Sequence, residues 1–219
     1  MKSANNSSQD ELLDIFSRFS HDIKNMLSTM YANYQLAEMK EPSLKDSPVW
    51  SRFVTSIRDM NSYVDRTSLL RYSYRTNKTT FDLCDLLYAL PDMCDERFPD
   101  MEREINFCIS CSPCTITADY YTVTYALMEM LANSYEATSE NDTITISLSA
   151  DNNSATVTIA NPGTILDTSE RIFEPYVTTG KKHLGIGLTI ARNVACAHNG
   201  TIKVESDNNV TYLHFKLPL

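Results

Sequence analysis

Apolar residues in the first seventy positions recur at alternating spacings of four and three, a period that suits little except long packed helices. In the first stretch they are Leu12, Phe16, Phe19, Ile23, Met26 and Met30, and, beyond the polar Asn33, Ala37. In the second they are Trp50, Phe53, Ile57, Met60, Val64 and Thr67. Residues 1 to about 9 read as disordered, and Ser8-Gln9-Asp10-Glu11 has the form of a capping box that opens the first helix. That helix ends before Pro42. Ser47-Pro48 opens the second, with serine as N-cap and proline in the first turn, and the pattern frays through residues 71–75. Two heptad helices joined by a loop of about seven residues predict an antiparallel hairpin. A hairpin alone leaves apolar seam in water, so the expected unit is a homodimer closing a four-helix bundle.

After about residue 77 the period changes. Phe81–Leu90 reads as a short strand or turn and then a helix that Pro91 kinks or ends. Residues 104–109 and 114–117 read as strands, and 119–138 as a helix with Val123, Ala126, Leu127, Met130, Leu131 and Ser134 along one side. Thr143–Leu148 and Ala155–Ile159 alternate strictly around Asp151-Asn152-Asn153, as a hairpin does. A loop over about 161–186 leads to a helix over about 187–198 that stops at Asn199-Gly200. Strands near 201–205 and 210–217 close the chain. The expectation is an α+β protein: an N-terminal helical hairpin over 1–76, then an α/β sandwich over 77–219 with one mixed sheet and helices on one face.

Nineteen lysines and arginines against 28 acidic residues give a net charge of −9. That balance argues against nucleic-acid binding, which needs a positive field facing phosphates. It does not argue against one nucleotide held by backbone N–H groups. No apolar run has the length of a membrane span, and MKSANNSSQD lacks the apolar core of a signal peptide, so the expectation is a cytoplasmic chain without membrane insertion. Cys108, Cys111 and Cys114 share a two-residue spacing that suits a metal completed by Cys94; small residues in a strand and its turn are the other reading.

Three groups of residues carry chemistry. His21 lies at the heptad position facing away from the seam. Asp22 follows it and can orient the imidazole or take its proton, and Asn25, four residues on, shares its face and can hold a water. A lone exposed histidine is the plain alternative. Glu129 and Asn133 share a face of the next long helix, and such hard oxygen donors suit Mg²⁺ beside phosphate, although an amphipathic helix also turns polar residues outward. Asn161-Pro162-Gly163 follows a strand, and Gly185-Ile186-Gly187-Leu188 opens a helix after the basic Lys181-Lys182-His183. Glycines there let a backbone and a helix N-terminus approach phosphates.

In order and spacing these elements resemble the transmitter module of bacterial two-component sensor histidine kinases, from about residue 11 to 219. Phe19–Asn25 is similar to its phosphoacceptor box, Glu129–Asn133 with Ala137 to its N box, and Asn161–Gly163 to its first glycine box. Arg171–Tyr176 is similar to its F box, and Gly185–Leu188 to its second glycine box. The resemblance implies a sandwich of the gyrase/Hsp90/histidine-kinase ATPase type that binds ATP and Mg²⁺. It implies His21 as phosphoacceptor, Asp22 as general base and Asn25 as the residue supporting dephosphorylation of a response regulator receiver domain. Asn133 would coordinate Mg²⁺, with Glu129 beside it. Asn161, Gly163, Phe173, Lys182, Gly185, Gly187 and Leu188 would hold the nucleotide under a lid over about 164–184.

Two positions depart from the family pattern. Asn161 stands where the box normally has the aspartate that accepts from the adenine amino group, and Ile165 stands at the box's second glycine. The lid is also short. These departures keep two alternatives in view: a histidine phosphotransfer protein with a degenerate ATP domain, and a pseudokinase that only docks a partner.

Overall fold

The computed structural model describes residues 3–73, 76–97, 103–163, 170–178 and 185–219, with side chains described from residue 18 onward except at 66, 69–72 and 95–97. The chain divides into two compact units, Met1–Arg71 and Tyr72–Leu219.

The first unit is the helical hairpin. Helix α1 runs Ser3–Lys40 and helix α2 runs Pro48–Tyr72, with a short 3-10 turn over Pro42–Asp46 between them. α1 begins ahead of the expected capping box, so Ser8 lies within the helix and the disorder expected up to about residue 9 is replaced by helical backbone. The Ser47 hydroxyl accepts from Trp50 N at 3.4 Å, as its N-cap position requires. Leu27, Tyr34, Val54 and Ile57 form the core of the hairpin, flanked by Ile23, Trp50 and Val64. Phe19, Met26 and Met30 of the expected seam are exposed instead, as are Phe53 and Met60. One hairpin has room for only one contact line, so the remaining apolar positions form a second stripe. The Trp50 indole N–H donates to Glu38 at 3.0 Å, and Lys24 meets Asp65 at 2.7 Å across the pair.

The second unit is the sandwich. Strand β1 (Thr79–Asp82) pairs antiparallel with β3 (Thr115–Ala118) as a separate ribbon, so the one expected sheet is in fact two. The main sheet has the order β2 (Glu104–Ile109), β4 (Thr143–Ala150), β5 (Ser154–Pro162), β7 (Val210–Pro218), β6 (Thr201–Asp207). Only β2 and β4 run parallel. Ile144, Ile146 and Leu148, Ala155, Val157 and Ile159, and Leu213, Phe215 and Leu217 are buried in strict alternation. They share the core with helix α3 (Leu83–Arg97), α4 (Tyr120–Ala137) and α5 (Gly187–Ala197) through Leu86, Leu87, Leu127, Met130, Ile190 and Val194. Each such side chain contributes about 1.5–3 kcal/mol of burial. Pro91 does not end α3, which continues through it to Arg97.

Local chemistry fixes the ends of these elements. Asp119 caps α4 by accepting from Thr122 N at 3.0 Å, and its other oxygen accepts from Asn77 N at 2.6 Å. Asn199, at φ 59°, takes the left-handed position after α5, and Gly200 follows where any Cβ would collide with the Lys216 carbonyl. Asn208 and Asn209, both at positive φ, make the tight turn from β6 to β7. Among the described residues no helix is long and apolar enough to cross a membrane.

Candidate functional site

His21 stands on α1 with its side chain 74% exposed. Its Nδ1 lies 3.2 Å from Asn25 Nδ2, one turn on, and 3.5 Å from Asp22 Oδ1. Both neighbours therefore address Nδ1, and among the described residues Nε2 has no hydrogen-bond partner. They favour opposite tautomers: the amide N–H donates to a bare Nδ1, whereas the carboxylate accepts from a protonated one. Only the second form leaves a lone pair on Nε2.

The second group gathers where the core face of the main sheet turns polar. Along β5 the inward positions run Val157, Ile159, Asn161, and along β7 they run Phe215, Leu213, Thr211. Asn161 and Thr211 stand opposite each other in the β5–β7 register, and each is 3% exposed. The buried hydroxyl of Ser134, on α4, donates to Asn161 Oδ1 at 3.0 Å. Asn161 Nδ2 donates to the Pro162 carbonyl at 2.7 Å, and Thr211 Oγ1 donates to the Gly163 carbonyl at 2.7 Å. Gly163 takes φ +106°, a conformation that favours glycine. Sequence reasoning missed Thr211 and the role of Ser134. The signal was there: inward parity on β7 places a threonine on an otherwise apolar face.

Asn133 lies one residue before Ser134, half-buried, and its Nδ2 donates to the Glu129 carbonyl at 2.8 Å. That contact leaves its Oδ1 as the amide's acceptor, which suits a hard cation. The Glu129 side chain is only 1% exposed, so of the two it is the one set inside the fold.

The described part of the expected lid is a 3-10 turn over Glu170–Phe173. Phe173 is buried against α5, with the Arg192 guanidinium 5.8 Å from its ring centre and paired with Glu170 at 3.3 Å. Gly185, at φ +62°, accepts from Tyr176 N at 2.9 Å, and a Cβ there would collide with the Val177 carbonyl. Gly187 and the half-buried Leu188 begin α5. Lys182, His183 and Ile165 lie outside the described residues.

The remaining candidates are structural. Cys94 is fully buried in α3, Cys84 Sγ lies 3.2 Å from the Cys111 carbonyl, and burial, then Cys111, pushes the Cys114 thiol up to about 12. Among the described residues no three His, Cys, Asp or Glu side chains are placed to hold a metal. His198 is 2% exposed and fully bonded: Nδ1 donates to the Val194 carbonyl at 2.8 Å and Nε2 accepts from Asp119 N at 2.9 Å.

Comparison with known proteins places this geometry. Residues 118–219 match the family model described as histidine kinase-, DNA gyrase B- and HSP90-like ATPase. The sensor histidine kinase ZraS of Salmonella typhimurium is 25% identical over 191 residues, 85% of this chain and 41% of that protein. The sensor protein VanS of Enterococcus faecium is 24% identical over 221 residues, covering 94% and 56% respectively. The chain thus spans about half the length of these curated relatives. Among solved structures, the catalytic domain of histidine kinase ThkA superposes with a TM-score of 0.60 at 28% identity, over 65% of this chain and 95% of that one. Residues 118–219 thus match the histidine kinase-, DNA gyrase B- and HSP90-like ATPase family model, and with the sensor histidine kinase relatives they support an ATPase module of the histidine kinase transmitter type.

Proposed function

We propose that this chain is the core of a two-component sensor histidine kinase, which phosphorylates His21 from Mg-ATP and passes the phosphoryl group to an aspartate of a response regulator. The observation that carries the reading is His21 itself. It is an exposed imidazole with both polar neighbours on Nδ1 and, among the described residues, no partner on Nε2, in a chain whose residues 118–219 match a histidine kinase-like ATPase family.

Phosphoryl transfer asks the protein for alignment and charge neutralisation more than for covalent chemistry. In this reading His21 Nε2 attacks the γ-phosphorus in line, the bond from that phosphorus to the β–γ bridging oxygen breaks and ADP leaves. Asp22 holds the proton on Nδ1 in the ground state and takes it as the ring becomes cationic. Asn161 and Thr211 form the floor on which the base rests, and Gly163 lets the backbone pass close beside it. Asn133 supplies an oxygen to Mg²⁺, which neutralises phosphate charge when bound, and Glu129 lies one turn away inside the fold. Gly185, Gly187 and Leu188 bring the start of α5 to the phosphates, with Lys182 as a cation from the lid and Phe173 anchoring the lid's base. Asn25 orients a water for the reverse task, dephosphorylating the regulator. A homodimer that covers the exposed stripe of the hairpin is part of the proposal. The phosphotransfer alternative is less well supported, because the matched family is an ATPase family.

The test is incubation of the purified chain with γ-labelled ATP and Mg²⁺ beside His21→Gln. The expected result is acid-labile, base-stable label on the wild type and none on the variant. A folded wild type that takes no label overturns the kinase reading and favours charging of His21 by a phosphorylated receiver domain.

A further inference from the structure

We infer that Cys111 and Cys114 form a dithiol oxidation site, at which a hydroperoxide converts the two thiols to an intramolecular disulfide. At rest these cysteines shape the connection from β2 to β3, and oxidation uses the same contacts.

The chain has six cysteines, and the fold brings few of them together. The β2 ladder continues to Ser110, whose N–H donates to the Leu148 carbonyl at 2.9 Å. Extended backbone therefore separates Cys108 from Cys111, at about 3.3 Å per residue, beyond the roughly 7 Å that a disulfide spans between Cα atoms. The chain then bends at Ser112 and Pro113, which turns Cys114 back toward Cys111. Cys94 lies ten residues along α3 from Cys84, about 15 Å up the helix. Cys196 is exposed on α5, which packs over β6 and β7 at the opposite edge of the main sheet from β2.

Three cysteines remain together, and Asp82 gathers them. Its Oδ1 accepts from Cys84 N and from Cys114 N, each at 3.0 Å, so the two backbones meet on one oxygen. Cys84, 2% exposed, is already engaged: its Sγ donates to the Cys111 carbonyl at 3.2 Å, and the Ser112 hydroxyl bonds its sulfur. It braces the turn. Cys111 and Cys114 are left thiol beside thiol, close enough that Cys111 is second only to burial in raising the Cys114 pKa. Cys111 is half-buried, whereas Cys114 is 4% exposed.

That asymmetry orders the steps. The oxidant reaches Cys111, whose sulfur attacks a peroxide oxygen. The O–O bond breaks and the thiol proton leaves with the departing oxygen as alcohol or water, giving a sulfenic acid. The Cys114 sulfur then attacks that sulfur, the S–O bond breaks, and hydroxide carries off the Cys114 proton as water. Two electrons pass from the thiols to the peroxide and one S–S bond is made. Burial favours the product. A thiol pushed up to about 12 is not held as a thiolate at neutral pH, so the reduced pair lacks the stabilisation that makes some disulfides strong oxidants.

The experiment is titration of the full chain with hydrogen peroxide, then blocking of free thiols with N-ethylmaleimide and mass spectrometry of the intact chain and its peptides. The wild type is expected to lose two hydrogens, to carry Cys111 and Cys114 unblocked and joined, and to regain both thiols with dithiothreitol. Cys111→Ser and Cys114→Ser are each expected to cut the disulfide yield by about tenfold or more, whereas Cys108→Ser combined with Cys196→Ser leaves it within about twofold. Circular dichroism checks each fold, and if Cys114→Ser does not fold then Cys111→Ser, at the half-buried position, decides. A wild type in which Cys111 and Cys114 stay reduced while the exposed Cys108 and Cys196 are oxidised overturns the inference. So does a Cys111 that passes on to sulfinic acid without closing, or a disulfide that joins Cys84 to either thiol.

Discussion

At the scale of single residues, two buried or half-buried polar groups help to fix the sandwich because each has defined partners. His198 bridges the end of α5 to the start of α4 through the Val194 carbonyl and Asp119 N. His198→Phe fills similar space and leaves the Val194 carbonyl its bond from the backbone N–H of residue 198 at 3.2 Å, but it strips Asp119 N of its acceptor, so a loss of about 1–3 kcal/mol in the second unit is expected, read as a lowered unfolding midpoint in thermal denaturation. Asp82 makes the complementary case. Its carboxylate accepts from Cys84 N and Cys114 N, both at 3.0 Å, and these backbone donors hold its pKa below the usual range. A depressed carboxyl pKa stabilises the fold fully above the unfolded value of about 4, and that stability is lost as pH falls through the folded value. Wild type should therefore lose stability on acidification below about pH 4 more steeply than Asp82→Asn, measured by urea unfolding across pH. Residues of this kind were only half legible in the sequence. Asn161 was visible through its place after a strand. Asp82 and His198 were not, because their partners lie 32 and 79 residues away and no local pattern encodes such a pairing.

Among the secondary-structure elements, legibility depended on period. The strict alternation in β4 and β5 matched which side chains are buried, because a strand has only two faces. The helices of the hairpin were found by the same logic, but their faces were merged. A spacing of four and three picks out any apolar stripe, and α1 carries two: Ile23, Leu27 and Tyr34 turned to α2, and Phe19, Met26 and Met30 turned outward. The two stripes should respond differently to substitution. Leu27→Ala is expected to cost about 2–5 kcal/mol at any protein concentration, because it opens a cavity within one hairpin. Met60→Glu on the exposed stripe should leave a single hairpin folded but dissociate the proposed dimer, seen as a halved mass in light scattering behind a sizing column. A dimer that survives Met60→Glu together with Phe53→Glu would sink the four-helix bundle.

For the molecule as a whole, the proposed kinase and the proposed dephosphorylation share one imidazole, and the contacts around it argue that they oppose each other. Asn25 donates to Nδ1 and so favours the tautomer with its proton on Nε2, which cannot attack phosphorus. Asp22 favours the other tautomer, with Nε2 bare. Removing each should therefore move autophosphorylation in opposite directions. Asp22→Asn loses the group that holds and then takes the Nδ1 proton, and a fall of about 10²–10⁴-fold in the rate of labelling is expected. Asn25→Ala frees Nδ1 to keep its proton, so labelling should hold or rise, while the chain loses its ability to strip phosphate from a phosphorylated receiver domain. Both rates can be followed on one preparation, with labelled ATP for the first and a pre-phosphorylated receiver for the second. If Asn25→Ala lowered labelling as far as Asp22→Asn does, the amide would be acting with the carboxylate rather than against it. His21 would then be held in its reactive form by both neighbours together.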